Sequence, residues 1–140
     1  MTTLNPYLNF RGRADEAIDF YQSVFGGEAT KMTFADMGGM DLPEAEREWL
    51  MHGQLTTADG HTLMCSDTPE AMEPGDLRTA QVALSGGAEE ETKLRGWFDA
   101  LAVDGEVHVP LEAAPWGDSF GQCADRFGHI WMVNIAGGGA

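Results

Sequence analysis

The pattern Gly-His-x-x-Met occurs twice, as Gly60-His61-Thr62-Leu63-Met64 and Gly128-His129-Ile130-Trp131-Met132, offset by 68 residues in a chain of 140. Repetition at half the chain length means a duplicated supersecondary unit, which constrains the fold more than any single residue does. Each copy closes its half, and in each half an earlier apolar run leads into an amphipathic helix.

Leu4 to Phe10 reads as a strand. Ala14, Ala17, Ile18, Tyr21, Val24 and Phe25 then recur at helical spacing, with Asp15, Glu16, Asp19 and Gln22 on the other face and Gly26-Gly27 as the stop. Glu28 to Asp36 alternates as a strand, and Leu50 to Thr57 pairs with His61 to Ser66 in a hairpin across Ala58-Asp59-Gly60. The first half is therefore βαβββ. Between its second and third strands, Met37 to Trp49 is a candidate lid, in which Pro43 can open a short helix over Glu44 to Arg47. Asp67 to Leu77 carries Pro69, Pro74 and Gly75 without an apolar period, and marks the junction.

The pattern then restarts. Thr79 to Leu84 is a strand, followed by a helix with Glu89, Glu90 and Glu91 in its first turn, where carboxylates favour the positive end of the dipole. Leu94, Trp97, Phe98 and Leu101 form its buried stripe. Strands follow near Glu106 to Val109, Ser119 to Ala124 and Ile130 to Ile135. One domain spanning 1–140 is expected, with a first module of about 1–67, a second of about 78–136, and a Gly-rich tail, 137–140, that frays.

Eight Lys plus Arg against 23 Asp plus Glu give a formal charge of −15, which opposes approach to phosphate backbones and anionic lipid. Nucleic acid and membrane are therefore excluded as partners. No basic flank and apolar run mark a targeting segment, and nothing approaches the roughly 18 apolar residues of a span, so a cytoplasmic protein is expected. Cys65 and Cys123 are too few and too far apart for a disulfide framework or a thiolate cluster, and are read as reduced, packed thiols. Dinucleotide, nucleotide and serine-hydrolase motifs are missing.

Two tandem βαβββ units resemble the vicinal oxygen chelate superfamily of glyoxalase I, extradiol dioxygenases, fosfomycin-resistance enzymes and bleomycin-binding proteins. More narrowly, Asn5-Pro6-Tyr7-Leu8-Asn9-Phe10, Glu16-Ala17-Ile18-Asp19-Phe20-Tyr21, Leu63-Met64-Cys65-Ser66-Asp67 and Trp116-Gly117-Asp118-Ser119-Phe120-Gly121, with Asp125 to Met132, are similar to the PhnB-like branch. The resemblance implies an α+β fold whose two modules form a cup-shaped, eight-stranded mixed sheet with helices on its outer face. It also implies a homodimer.

Metal-dependent members carry one ligand on the first strand of each half and a carboxylate on the last. That pattern falls here on Asn5 and Thr79, and on Met64 and Met132. An amide, a hydroxyl and two thioethers are poor ligands for a hard divalent cation, so no metal and no other cofactor are expected. Two readings of the methionines stand: they fill space between sheet and helix, or they line the cup as polarizable apolar surface. Strand alternation favours the second, because it sends Leu63 and Cys65, and Trp131, Val133 and Ile135, to the opposite face.

The same alternation names the other inward residues. Tyr7 and Asn9 follow Asn5, and Gln81 follows Thr79. His52 and Gln54 share a face of the third strand, and Asn134 accompanies Met132. Trp116 and Phe120 reach the cup mouth if Trp116 is an aromatic wall; Trp116 is otherwise a core or dimer-interface residue. His61 and His129 are read as solvent-facing turn residues and His108 as an edge residue, whereas His52 is a candidate acid/base or a group that orients a ligand. The expected function is binding of a small organic molecule in a metal-free cup, by analogy with bleomycin-binding relatives. The alternative is a lyase, isomerase or dioxygenase-type enzyme with a displaced metal site or with His52 as acid/base.

Overall fold

The computed structural model describes residues 4–38, 41–71 and 81–137, arranged in two compact units, Met1–Leu77 and Arg78–Ala140. In the first unit β1 (Tyr7–Phe10), α1 (Ala14–Phe25), β2 (Glu28–Thr33), β3 (Leu50–Thr56) and β4 (Thr62–Asp67) build a four-stranded sheet of order β1-β4-β3-β2. The second unit repeats this with β5 (Gln81–Gly86), α2 (Glu91–Ala102), β6 (Glu106–Ala113), β7 (Ser119–Ala124) and β8 (Ile130–Ile135), in the order β5-β8-β7-β6. In each, the first strand runs parallel to the last and the other pairs are antiparallel. The fold is the expected α+β pair of βαβββ modules, with its eight strands divided between two sheets.

Element ends differ from the sequence reading where proline intervenes. Pro6 has no N–H to donate, and β1 begins after it at Tyr7 rather than at Leu4, while the Pro6 carbonyl still accepts the Met64 N–H at 3.0 Å. Conversely, β6 runs through Pro110 to Ala113. It is an edge strand whose register shifts on both sides of Val109, which accommodates a residue that cannot join the ladder. Only Glu91 lies in the first turn of α2; Glu89 and Glu90 belong to a preceding 3-10 turn.

One face of each sheet is covered by its own helix. Ala14, Ala17, Ile18, Tyr21 and Phe25 of α1 are buried, as are Leu55, Leu63 and Cys65 of the strands. In the second unit Leu94, Phe98 and Leu101 of α2 are buried with Cys123, Trp131 and Val133. Each large side chain so buried contributes about 1.5–3 kcal/mol. Trp97 departs from the expected stripe: it is half-buried, with the Lys93 ammonium 5.9 Å from its ring centroid. Gly53 and Gly121, again 68 apart, lie on the helix-covered faces, where a Cβ would stand 3.1 Å from Ile18 Cδ1 and 3.0 Å from Phe98 Cε2 respectively. Cys65 and Cys123 are free and buried, as expected.

The repeated Gly-His is a turn device. Thr57 N–H donates to the His61 carbonyl at 2.8 Å and Gly60 N–H to the Thr57 carbonyl at 2.9 Å; Asp125, His129 and Gly128 repeat both bonds at 2.9 Å. Gly60 and Gly128 take φ of 89° and 90°, a region open to glycine at little cost. The two histidines nevertheless differ. His61 is exposed, but His129 is buried at 2 % accessibility, contrary to the expectation for a turn residue. The Thr57 hydroxyl accepts the His61 N–H, whereas the Asp125 carboxylate takes the Phe127 and His129 N–H groups on one oxygen and the buried Trp131 indole N–H on the other. That second oxygen ties the turn to the core.

The described parts of the candidate lid, 37–38 and 41–49, are anchored by hydrogen bonds. Short 3-10 turns at Ala35–Met37 and Glu44–Glu46 are linked by Ala35 N–H to the Arg47 carbonyl, and the buried Glu46 carboxylate accepts the Glu70 N–H at 3.0 Å. Thr79, most of the expected junction and residues 138–140 lie outside the described residues. Among the described residues, no helix is long and apolar enough to cross a membrane.

Candidate functional site

The face of each sheet opposite its helix carries the candidate residues. On β4, Leu63, Cys65 and Asp67 are buried while Thr62, Met64 and Ser66 are half-buried; β8 repeats this with Trp131, Val133 and Ile135 against Ile130, Met132 and Asn134. Register then builds rows across the open faces. In the first unit Tyr7, Met64, Gln54 and Thr30 stand side by side, and Asn9 pairs Ser66 as Met32 pairs His52 in the next row. In the second, Ala83, Met132, Gln122 and Val109 form the corresponding row, with Ser85, Asn134, Phe120 and Glu112 beside it.

Each methionine is therefore flanked by a glutamine at the same position, Gln54 for Met64 and Gln122 for Met132. Sequence reasoning selected Gln54 and missed Gln122. The signal was present, because Gly53-Gln54 recurs as Gly121-Gln122 with the offset of the Gly-His repeat. The other flank has diverged to Tyr7 in one unit and Ala83 in the other. This register also makes Gln81, two residues before Ala83, the counterpart of Asn5, two before Tyr7; Thr79 was expected in that place.

Polar contacts tie these residues in pairs. The Tyr7 hydroxyl lies 3.4 Å from His52 Nδ1, with the two rings 5.9 Å apart and tilted by 46°. Ser66 donates to the Asn9 amide oxygen at 3.4 Å, and the Gln122 amide donates to that of Gln81 at 3.3 Å. Asn134 donates to Asp118 at 3.1 Å, and the Asp118 carboxylate also accepts the Gly137 N–H at 2.9 Å. The Gly137 bond, then the Asn134 bond, hold this carboxyl below its ordinary range. Trp116, in the β6–β7 turn, is 65 % exposed with its ring 6.3 Å from Phe120, so of its two readings the core placement does not hold.

These side chains do not fit a hard divalent cation. The first unit offers the Met64 thioether and the Asn5 amide and the second the Met132 thioether and the Gln81 amide, neutral donors of which the thioethers are soft. Among the described residues no group of three or more His, Cys, Asp or Glu converges as a metal site. Each unit's open face is suited to hydrogen bonding through amides and dispersion through polarizable sulfur, with ring contact through Tyr7 and His52 in the first unit and through Phe120 and Trp116 in the second.

The sequence profile of the Glyoxalase/Bleomycin resistance protein/Dioxygenase superfamily matches residues 3–133. Protein YjdN of Escherichia coli (strain K12) is 30% identical over 145 residues, which span 94% of this chain and 94% of that protein. The crystal structure of protein PA1353 from Pseudomonas aeruginosa superposes with a TM-score of 0.82 at 30% identity, covering 98% of this chain and 99% of that one. The PhnB protein from Bacillus cereus shares the fold at a TM-score of 0.68 and 23% identity, over 96% of this chain and 100% of that one.

Proposed function

The chain belongs to the Glyoxalase/Bleomycin resistance protein/Dioxygenase superfamily, and on that premise we propose that it is a metal-free, PhnB-like member that binds a small organic molecule on the open faces of its sheets. One observation carries the proposal: the glutamine–methionine pair is present at the same row position in both units, where metal-dependent relatives place a carboxylate. A half-buried thioether between an amide and, in the first unit, a phenol offers an organic ligand contact area and directional hydrogen bonds without a charge. The proposal extends to one domain acting as a homodimer in the cytoplasm.

A second reading, an enzyme of the same superfamily with His52 as acid/base, is favoured by the contact between His52 Nδ1 and the Tyr7 hydroxyl. A ring nitrogen oriented by a neighbouring hydroxyl leaves the other directed to chemistry.

Calorimetric titration with Zn²⁺, Ni²⁺ and Mn²⁺ tests the first reading, and no tight stoichiometric site is expected. Micromolar or better one-to-one binding that is lost on changing Met64 and Met132 would overturn it. Native mass spectrometry of the same untagged protein reads the subunit count and any organic molecule retained from the host.

A further inference from the structure

Tyr7 and His52 are not neighbours in the sheet. With the order β1-β4-β3-β2, the strand bearing Met64 and Ser66 lies between them, so Tyr7 must lean across β4 to bring its hydroxyl within 3.4 Å of His52 Nδ1. Two strand spacings of about 4.8 Å each separate the backbones. Tyr7 is 44 % exposed, and a tyrosine with access to water reaches toward a histidine instead.

The chemistry of this pair favours one direction. A phenol is a good donor and a weak acceptor, whereas the unprotonated nitrogen of a neutral imidazole is a good acceptor. That chemistry favours Tyr7 O–H as the donor and Nδ1 as the acceptor. Which imidazole nitrogen carries the proton is set by the bond the other makes, so a phenol donating to Nδ1 selects the tautomer with its proton on Nε2.

We propose that Tyr7 is a positioning residue that holds His52 as the Nε2–H tautomer, and that His52 thereby donates to a neutral carbonyl oxygen of the ligand. The inference rests on the reading of these faces as a binding site and names the ligand class. An Nε2–H can serve an acceptor but not a donor such as an ammonium group. A carboxylate would also accept, but the formal charge of −15 opposes the approach of an anion, which leaves amides, ketones and quinones. Gln54, on the same open face and the same strand, adds an amide that can bond a second polar group. In the enzyme reading, the same tautomer makes His52 the acid end of the pair, polarising a carbonyl rather than abstracting a proton.

Two-bond ¹H–¹⁵N correlation spectra of the labelled full chain, recorded at about pH 8 where an ordinary imidazole is neutral, test this directly. His52 is assigned by the signals lost in His52→Gln. The wild-type protein should give the Nε2-protonated pattern, and Tyr7→Phe should give a mixture of tautomers with the backbone amide spectrum otherwise retained. An Nδ1-protonated His52, or a pattern unchanged in Tyr7→Phe, would overturn the role of Tyr7. That comparison needs no ligand; an Nδ1-protonated wild-type spectrum overturns the role of Tyr7 by itself, and Tyr7→Leu repeats the comparison if Tyr7→Phe fails to fold. Benzamide, benzoate and benzylamine are then added in turn. Benzamide should move the His52 Nε2 signal most. A larger response to benzylamine or benzoate, or none to benzamide, overturns the ligand class. If benzamide moves the Met64 methyl but leaves His52 still, the binding reading stands and this inference falls. If none of the three moves any open-face signal while the tautomer is as expected, the role of Tyr7 stands, the ligand class falls and the binding reading loses its support.

Discussion

A single carboxylate, Asp67, joins three parts of the first unit. Buried at the end of β4, it accepts the N–H groups of Gly12 at 2.7 Å, Ala14 at 3.1 Å and Leu50 at 3.0 Å, and so fixes the start of α1 and the start of β3. Hydrogen bonds to a charged group are worth about 1.5–3 kcal/mol each, and stranding a buried donor costs a similar amount. Asp67→Asn, which turns one acceptor oxygen into a donor, is expected to lower stability by about 2–3 kcal/mol, read as a lower urea midpoint at unchanged slope. The same charge acts on Cys65. Burial first, and then the Asp67 carboxylate, push this thiol up to about 12 from its ordinary 9.0, while burial and Asp125 push Cys123 up to about 11. Below pH 9 both states hold the protons. Between about 9 and about 12 the unfolded chain releases a proton that the native Cys65 retains, so stability is lost as pH rises through that window. Cys65→Ala should show a shallower alkaline loss than the wild type in urea titrations from about pH 8.5 to 10.5; equal slopes would contradict the assignment.

At the scale of elements, the covered faces make the two units comparable and still unequal. A Cβ at Gly53 would meet the ends of side chains, Cys65 Sγ at 2.9 Å and Ile18 Cδ1 at 3.1 Å, whereas at Gly121 it would meet Leu111 Cβ at 2.8 Å and Leu111 Cα at 2.9 Å. Side-chain ends can turn aside, but a backbone can yield only by moving β6. Gly121→Ala is therefore expected to cost more than Gly53→Ala within the roughly 1–3 kcal/mol of overpacking, as two melting curves would show. Much of this was legible in the chain. The bounds of α1, β7 and β8 follow from their apolar periods, and alternation along β4 and β8 gave the direction of both methionines. What remained hidden depends on partners distant in sequence. No local pattern distinguishes His129 from His61, because the difference arises where Asp125 meets Trp131. Gln81, rather than Thr79, matches Asn5 only once β5 is aligned on β8. The Tyr7–His52 contact spans β4, which the strand order places between them, and no local pattern encodes it.

For the whole molecule, a formal charge of −15 on 140 residues is the dominant long-range term. Local ion pairs relieve it in places, as where Lys31 bridges Asp15 and Asp19, but 23 Asp plus Glu outnumber eight Lys plus Arg. Self-repulsion in the compact state is screened over about 10 Å at 0.1 M salt. The melting temperature is expected to rise as sodium chloride is raised from a few millimolar to a few hundred; a fall would mean that salt-sensitive attractions outweigh the excess charge. The topology has a further consequence, for synthesis. Among the described residues each strand ladder lies within one unit, and the four strands of the first sheet end with β4 at Asp67, before any residue of β5 has been translated. Domains generally fold as units during synthesis. The amino-terminal half of this chain can thus complete the sheet β1-β4-β3-β2 on the ribosome, and the duplication that shapes the protein also divides its folding into two successive tasks.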